Sequence, residues 1–218
     1  KWVENIPKHW TVSSFKFVLV QKMDNGVFKK KNQFGDGVKL VNVADLYHNN
    51  GIIDQKSLER VMVTDEELNK YAVYSNEIFF VRSSLKLDGI GQSSIVKDME
   101  EPLVFECHII RTKPNTQKMF PDYLRYLLNS HLIRSHLVSV SQTVTMTTIS
   151  QDDIKNIKII CPPIEEQKTI SDYIHKQTEN IDDLILKLKS QLKKLQESKQ
   201  SLIVSAVTGK IDVRGTVA

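Results

Sequence analysis

The side chains most able to do chemistry in this sequence are its histidines and cysteines. A metal or nucleophilic site needs them at a spacing that brings them to one point, such as Cys-x-x-Cys or histidines four apart on a helix. No such spacing occurs, and His131 and His136, five apart, face different sides of a helix. Cys107 and Cys161 each lie in an apolar run, so we expect no disulfide framework and a reducing, cytoplasmic setting. We therefore expect no bound metal, no cofactor and no catalytic centre.

Two further segments partly match nucleotide-binding sequence motifs but lack the residues that those motifs need for binding. Gly89-Ile90-Gly91 is a lone Gly-x-Gly that precedes a strand-like run, whereas pyrophosphate binding needs a helix there. Cys161-Pro162-Pro163-Ile164 has the two prolines of an adenine methyltransferase motif, but a thiol and an aliphatic chain replace the amide and the stacking ring. We interpret the first as a turn and the second as a strand end followed by a helix start.

Basic and amide side chains collect on turn-rich segments, where they are able to contact nucleic acid. Lys29, Lys30 and Lys31 follow one another, and Arg82 and Lys86 flank a pair of serines. Phosphate contacts and base-edge hydrogen bonds need residues of this kind on loops. For any single lysine, a solvated surface position is the simpler interpretation.

The composition is that of a folded protein with a slight basic excess. The 218 residues are 40% hydrophobic and 26% charged, with a formal net charge of +4. This length leaves room for one domain plus an extension, and the charge allows a polyanionic partner without requiring one. No run of 18 apolar residues and no basic-then-apolar leader occurs, so we expect neither a membrane span nor a secretion signal.

Short strand-like runs alternate with turns over the first 160 residues. One helix is predicted from about Pro121 to Val138, because Pro121 suits a first helical position and Leu124 and Leu128 recur on one face. We therefore predict an α+β fold with a mixed globular domain over residues 1–160. The predicted strands are 38–43, 60–63, 78–82, 94–97, 103–111 and 157–161.

The residues after Pro163 predict one long helix that forms a coiled coil. The sequence runs to about Ala206 without Gly or Pro, and Glu165 and Glu166 lie in the first turn, where the helix dipole favours acids. About 42 residues at about 1.5 Å each make a rod of roughly 63 Å. Its heptad seam needs a partner helix, so we predict a coiled-coil region over residues 161–218. The seam residues are Ile174, Ile181, Leu184, Leu188, Leu192, Leu195 and Leu202.

Two motifs that bracket this helix resemble the specificity subunits of type I restriction-modification systems. The first, Cys-Pro-Pro-Ile-Glu-Glu-Gln-Lys-Thr-Ile over 161–170, is similar to the Pro-Pro-x-x-Glu-Gln start of the family's conserved helical region. The second is Ala-Val-Thr-Gly-Lys-Ile-Asp over 206–212, similar to its end. Residues that resemble the two ends of a target recognition domain are Trp2, Ile6-Pro7, His9-Trp10 and Ser150-Gln151-Asp152-Asp153-Ile154.

The resemblance implies a DNA-reading module without catalytic residues of its own. Members of the family usually carry two target recognition domains joined by two antiparallel helices, and each domain reads one half of a bipartite site. This chain has one globule and one helix, so we interpret it as a half-length subunit, paired with a second copy, or as one half of a longer chain. The resemblance also implies methyltransferase subunits docked on the helical region, and a motor and nuclease subunit for cleavage. The family's Gly-Asp before the central strand is replaced here by Asn76-Glu77.

Double-stranded DNA is, by the same resemblance, the expected partner of the basic loops. We expect a few base pairs to be read, chiefly in the major groove. The segment 143–148 fits an edge strand equally well. We also expect the long helix to act as a ruler between two half-sites. The candidate DNA contacts are Lys29, Lys30, Lys31, Gln33, Arg82, Ser83, Ser84, Lys86, Gln92, Ser93, Thr143, Thr145 and Thr147.

Two other functions remain open on the sequence alone. The chain is alternatively the recognition end of a fused restriction and methylation enzyme, in which case a reading frame upstream of Lys1 encodes a cofactor-binding fold. It is otherwise a coiled-coil assembly protein with no role on DNA. Sequence-specific DNA binding distinguishes this last alternative from the first interpretation.

Overall fold

Within residues 6–47, 50–143 and 145–213, which the computed structural model describes, the chain forms twelve strands and five α-helices. Trp2, His48 and Val144 lie outside these ranges. The strands are β1 Thr11–Ser14, β2 Asp24–Asn25, β3 Phe34–Val41, β4 Glu59–Val61, β5 Ile78–Val81, β6 Ser83–Ser84, β7 Ser93–Ile95, β8 Leu103–Phe105, β9 Ile109–Thr112, β10 Gln142–Thr143, β11 Thr147–Thr148 and β12 Lys158–Cys161. The helices are α1 Asp65–Tyr71, α2 Pro121–Asn129, α3 His131–Val140, α4 Gln151–Lys155 and α5 Ile164–Val207.

The predicted α+β class is confirmed, and a four-stranded sheet lies between two apolar clusters. Its order is β2-β9-β5-β7, and the pairs are antiparallel. Every residue of β5 is buried: Ile78 and Phe80 pack in one cluster with α2 and α3, while Phe79 and Val81 pack in the other. This is why the sequence is apolar without alternation there, since both faces of the strand are covered. The predicted strands at 38–43, 60–63, 78–82, 94–97 and 157–161 are confirmed, with shifted ends, as β3, β4, β5, β7 and β12.

The strand predicted over 103–111 is wrong, because the chain changes sheets within it. β8 pairs in parallel with β3 in a three-stranded sheet, whereas β9 pairs with β5 in the central sheet. The turn between them is stabilised by Glu106, whose carboxylate accepts a hydrogen bond from the backbone N–H of His108 at 3.0 Å. No Gly, Pro, Asn or Asp marks this turn in the sequence, and both flanking strands are apolar and buried, so the segment resembles one strand.

The single helix predicted from about Pro121 to Val138 is also wrong, because the helix is interrupted at Ser130. Ser130 has an extended backbone (φ −62°, ψ 148°) between α2 and α3. Next to it, the Asn129 amide donates to Ser93 O at 2.9 Å, and its oxygen accepts from the Ser93 N–H at 3.4 Å. The side chain is thereby bonded to β7 at the point where the helix stops. Asn and Ser both favour helix ends.

The two ends of the globule meet in a small sheet from which the long helix begins. β1 pairs antiparallel with β12, from Thr11 opposite Cys161 to Ser14 opposite Lys158. Immediately beyond, Glu166 accepts hydrogen bonds from Trp10 Nε1 at 2.9 Å and from His9 Nε2 at 2.8 Å. The Trp10 and His9 hydrogen bonds lower the pKa of Glu166. The motifs at 9–10 and 161–170 are therefore in direct contact.

Gln167 attaches the first turn of α5 to the globule. It is 0% exposed, and its oxygen accepts from the backbone N–H of Phe120 at 2.7 Å, at the start of α2. Its amide donates to Pro162 O at 2.8 Å and to Lys118 O at 3.0 Å. Three backbone groups therefore depend on one side chain for their hydrogen bonds.

The long helix is confirmed as α5, a continuous helix of 44 residues. Contacts divide the chain into two compact units, Lys1–Ser171 and Asp172–Ala218. The first eight residues of α5 thus belong to the unit that contains the globule. The functional division between residues 160 and 161 stays a prediction.

Replacing Gln167 by alanine tests this attachment. We expect Gln167→Ala to lower the free energy of unfolding by about 2–3 kcal/mol, because buried backbone groups lose their partners. Equilibrium unfolding in urea measures the change. The control is Gln200→Ala on the exposed part of α5, expected to change stability by less than about 0.5 kcal/mol. Equal effects of the two substitutions would show that the Gln167 contacts contribute nothing.

Candidate nucleic-acid interface

A three-stranded sheet brings together two segments that are 60 residues apart in the sequence. β11 pairs with β6, with Thr147 opposite Ser84 and Thr148 opposite Ser83, and β10 pairs with β11. The backbone N–H of Ile149 also donates to Arg82 O at 3.0 Å. The segment 143–148 is therefore not a single edge strand: it contains the end of β10 and the whole of β11, Thr145 and Met146 lie in no strand, and β11 is paired on both sides. This segment lies beside the predicted contacts at 82–86.

Four of the candidate contacts are buried, three of them in β6 and β11 and one in β7. Ser83, Ser84, Ser93 and Thr147 are each less than 10% exposed. The Thr147 hydroxyl is hydrogen-bonded to that of Thr143 at 3.0 Å, and the Ser93 hydroxyl donates to the Asn129 oxygen at 3.3 Å. Their hydroxyls do not reach the surface in this conformation, which is a correction to the predicted list of DNA contacts.

The 84–90 loop, residues 84 to 90, is held by side chains that bond to its backbone. The Ser84 hydroxyl donates to Lys86 O at 2.7 Å and accepts from the Lys86 N–H at 3.1 Å, with the Tyr47 hydroxyl 3.1 Å away. The Arg134 guanidinium donates to the carbonyls of Asp88 and Ile90. Burial lowers the pKa of Arg134 below its ordinary value, an effect that the charge of Asp88 opposes. These contacts fix the loop at both ends.

The exposed side chains of this region are basic, apolar and hydroxylic. Arg82 and Lys86 are exposed, and within the described ranges neither forms a salt bridge. Thr143 and Thr145 are exposed on the neighbouring hairpin, and Gln92 is half-buried. Leu85 is 85% exposed between the two cations. We call Arg82, Leu85, Lys86, Thr143 and Thr145 the loop face.

The predicted contacts at 29–33 lie on a different part of the globule. The Lys29 side chain is only 4% exposed, and its Nζ is 2.5 Å from the Glu67 carboxylate. This hydrogen bond lowers the pKa of Glu67. Lys30 and Lys31 are exposed, and the Gln33 oxygen accepts from the Lys30 N–H at 2.9 Å. The segment precedes β3, and no described strand pairing joins it to the loop face.

One turn offers three residue types that bind metals. Among the described residues, the ligand atoms of Glu106, Cys107 and His108 lie within 4.8 Å of one another. However, the Glu106 carboxylate already accepts from the His108 N–H and from the Cys107 thiol. Burial and the nearby Glu106 charge raise the pKa of Cys107, which favours the neutral thiol over the thiolate that a metal needs. The hydrogen bonds account for this turn without an ion.

The family model for the type I restriction modification DNA specificity domain matches residues 7–194. The chain belongs to this family. It is 27% identical over 209 residues to the putative type I restriction enzyme MjaX specificity subunit of Methanocaldococcus jannaschii, covering 94% of this chain and 47% of that protein. It is 22% identical over 214 residues to the EcoKI specificity subunit of Escherichia coli K12, covering 97% and 46%. The chain thus spans about half the length of the curated relatives it matches.

Solved structures share the fold. A chain from a structure concerned with complex assembly and conformational transition of the type I R-M system has a TM-score of 0.72 at 15% identity, covering 93% of this chain and 47% of that one. The HsdS subunit of Thermoanaerobacter tengcongensis has a TM-score of 0.58 at 16% identity, covering 83% and 40%.

The departure at Asn76-Glu77 from the specificity-domain pattern has a backbone explanation. Asn76 has a φ of 68°, in the left-handed region. Glycine adopts this conformation without cost, and asparagine is among the few other residues that tolerate it. Glu77 is 1% exposed, its carboxylate accepts from the Tyr74 N–H at 3.0 Å, and burial raises its pKa. The substitution therefore preserves the turn before β5.

Among the described helices, none combines the length and apolar character needed to cross a bilayer.

Proposed function

We propose that this chain is the non-catalytic DNA-recognition subunit of a type I restriction-modification complex, and that its globule reads one half of a bipartite site. The observation that carries the proposal is the loop face. Sequence segments predicted separately to contact DNA are joined there by strand pairing, with Arg82 and Lys86 exposed. Cations without a protein partner attract phosphates, and the exposed hydroxyls beside them are suited to base edges.

The exposed stripe of α5 supports a partner helix. Ile181, Leu184, Leu188, Leu192, Leu195 and Leu202 are between 54% and 68% exposed. A heptad stripe of this size is stabilised by packing against a second helix. We propose that the partner is a second copy or the second half of a longer chain, and that methyltransferase subunits dock on the same region. A motor and nuclease subunit then completes the complex.

The charge distribution along α5 favours an antiparallel partner. Residues 172–186 carry four acids and one lysine, whereas residues 187–207 carry five lysines and one acid. The net charges of the two halves are therefore −3 and +4. Antiparallel pairing of two copies places each negative half against a positive half, while parallel pairing places like charges together. Electrostatic complementarity of this kind selects orientation.

Selection of bound sites from random duplex DNA tests the proposed function. With the full chain, alone and with methyltransferase subunits, we expect two inverted half-sites separated by a fixed unread spacer. If no sequence is enriched under either condition, the proposed function is wrong. An enriched single site without inverted symmetry would instead favour the second half of a longer chain as the partner.

Substitutions on the loop face test its role in binding. We expect Arg82→Ala and Lys86→Ala each to weaken binding by about 1–3 kcal/mol, and each lost phosphate contact to reduce the salt slope by about 0.9. Titrations at several salt concentrations measure both. Lys56→Ala, which removes an exposed cation from another turn, is the control. Unchanged affinity and slope in both loop variants would place DNA elsewhere.

Charge reversal on α5 tests the orientation of the pair. A triple variant changes the net charge of residues 187–207 from +4 to −2. Its substitutions are Lys187→Glu, Lys193→Glu and Lys194→Glu. Antiparallel pairing then becomes repulsive, and we expect a dimer about tenfold weaker at low salt. Adding Asp182→Lys and Asp183→Lys changes the net charge of residues 172–186 from −3 to +1. The two halves then carry opposite charges again, and the dimer should be restored. Sedimentation equilibrium measures the constants. A tighter dimer in the triple variant would indicate parallel pairing.

A heptad deletion tests the ruler. Removing residues 195–201, which carry no net charge, shortens α5 by roughly 10 Å, or about three base pairs at about 3.4 Å each. The preferred spacer should shrink accordingly in a repeated selection. Replacing Gln196, Ser198 and Gln200 by alanine keeps the length and is the control. An unchanged spacer in the deletion variant would exclude the ruler.

A further inference from the structure

Leu85 is an apolar side chain held in an exposed position beside basic residues. It is 85% exposed and is the second residue of the 84–90 loop. Single exposed hydrophobic residues are common and need no explanation by themselves. Leu85 differs because the loop that carries it is fixed by side-chain hydrogen bonds.

The fixed backbone prevents Leu85 from folding back onto the globule. Ser84 bonds to both backbone groups of Lys86, so the residues on either side of Leu85 are held. Further along, Arg134 holds Asp88 and Ile90, and Gly91 has a φ of 65° at a position where a Cβ would lie 2.8 Å from Leu137 Cδ1. The conformational entropy of the loop is therefore already reduced before any partner binds.

The surroundings of Leu85 match the major groove of DNA. Arg82 and Lys86 lie on either side of Leu85 in the sequence, and both are exposed. Their positive charges are suited to contact two phosphates or base edges. The β10–β11 hairpin lies beside them and is joined to β6 through β11, and β-strands are among the elements that the major groove admits. The apolar group that this groove displays is the C5-methyl of thymine.

We propose that Leu85 reads thymine in the half-site by packing against its C5-methyl group. This inference rests on the proposed function, and it adds a specificity-determining contact of defined chemistry. Recognition through an apolar contact needs no proton donor or acceptor from the loop. Arg82 and Lys86 then orient the loop through phosphates, while Leu85 distinguishes thymine from cytosine at one position.

Substituting deoxyuridine for thymine, one position at a time, removes the methyl and leaves base pairing intact. At one thymine of the selected site, we expect the wild-type chain to lose about fourfold in affinity, the effect of exposing one methyl-sized group. Leu85→Ala should bind the thymine site more weakly than wild type by at least this factor. It should also lose nothing further when that thymine becomes uracil. Fluorescence anisotropy with the full chain measures the four dissociation constants.

Val20→Ala is the matched control, since Val20 is an exposed aliphatic residue outside the loop. It should show the wild-type response to uracil. Because Leu85 is exposed, its substitution should leave the unfolding temperature unchanged, which a thermal melt checks.

If the uracil penalty at every thymine is the same in wild type and Leu85→Ala, the inference is wrong. Normal DNA binding by Leu85→Ala with lost binding of methyltransferase subunits would likewise overturn it and assign Leu85 to a protein contact. A wild-type chain that selects no sequence would refute the proposed function itself, a distinct result.

Discussion

The apolar stripe of α5 is the constraint on which the rest of the chain depends. The unit Asp172–Ala218 contains, among its described residues, no second helix that would cover this stripe. Leucines and isoleucines at heptad spacing are stabilised when packing against a second helix removes them from water. We proposed above that this helix comes from a second copy or from the second half of a longer chain. On that proposal, pairing joins two globules in one assembly, and reading of a two-part DNA site follows from the way the helix is stabilised.

Within the globule, the residues that hold the 84–90 loop and the residues proposed to contact DNA are different side chains of the same segments. Ser83, Ser84 and Thr147 are buried and hold the strand pairing and the loop. Arg82, Leu85 and Lys86 flank the two buried serines in the sequence and are exposed. On the function proposed above, a change of an exposed residue would alter what is read without disturbing the residues that hold the loop.

The sequence predicted the class, five of the described strands and the long helix α5, because these depend on local patterns of apolar residues. It failed where tertiary contacts decide. Residues 103–111 contain no Gly, Pro, Asn or Asp, so nothing marks the turn at which the chain passes from one sheet to another. Helix α1 was missed although Thr64 and Glu67 form a capping box, since its seven residues are too short for a periodic signal. Of the candidate site, the exposed basic residues could be predicted, but the burial of Ser93 or Lys29 could not, because composition does not show which neighbour covers a side chain.

Rigidity of the 84–90 loop bears directly on discrimination between sites. A flexible loop adjusts to an incorrect base pair and recovers part of the lost contact, so the two sites differ little in affinity. A loop whose backbone is already bonded by Ser84 and Arg134 cannot move without breaking those bonds. On the proposed function, an incorrect base opposite this loop would leave either a gap or a clash that the protein is unable to relieve. The buried polar side chains that bond the loop would then contribute to specificity without contacting DNA, because they set how far the loop can adjust to a mismatch.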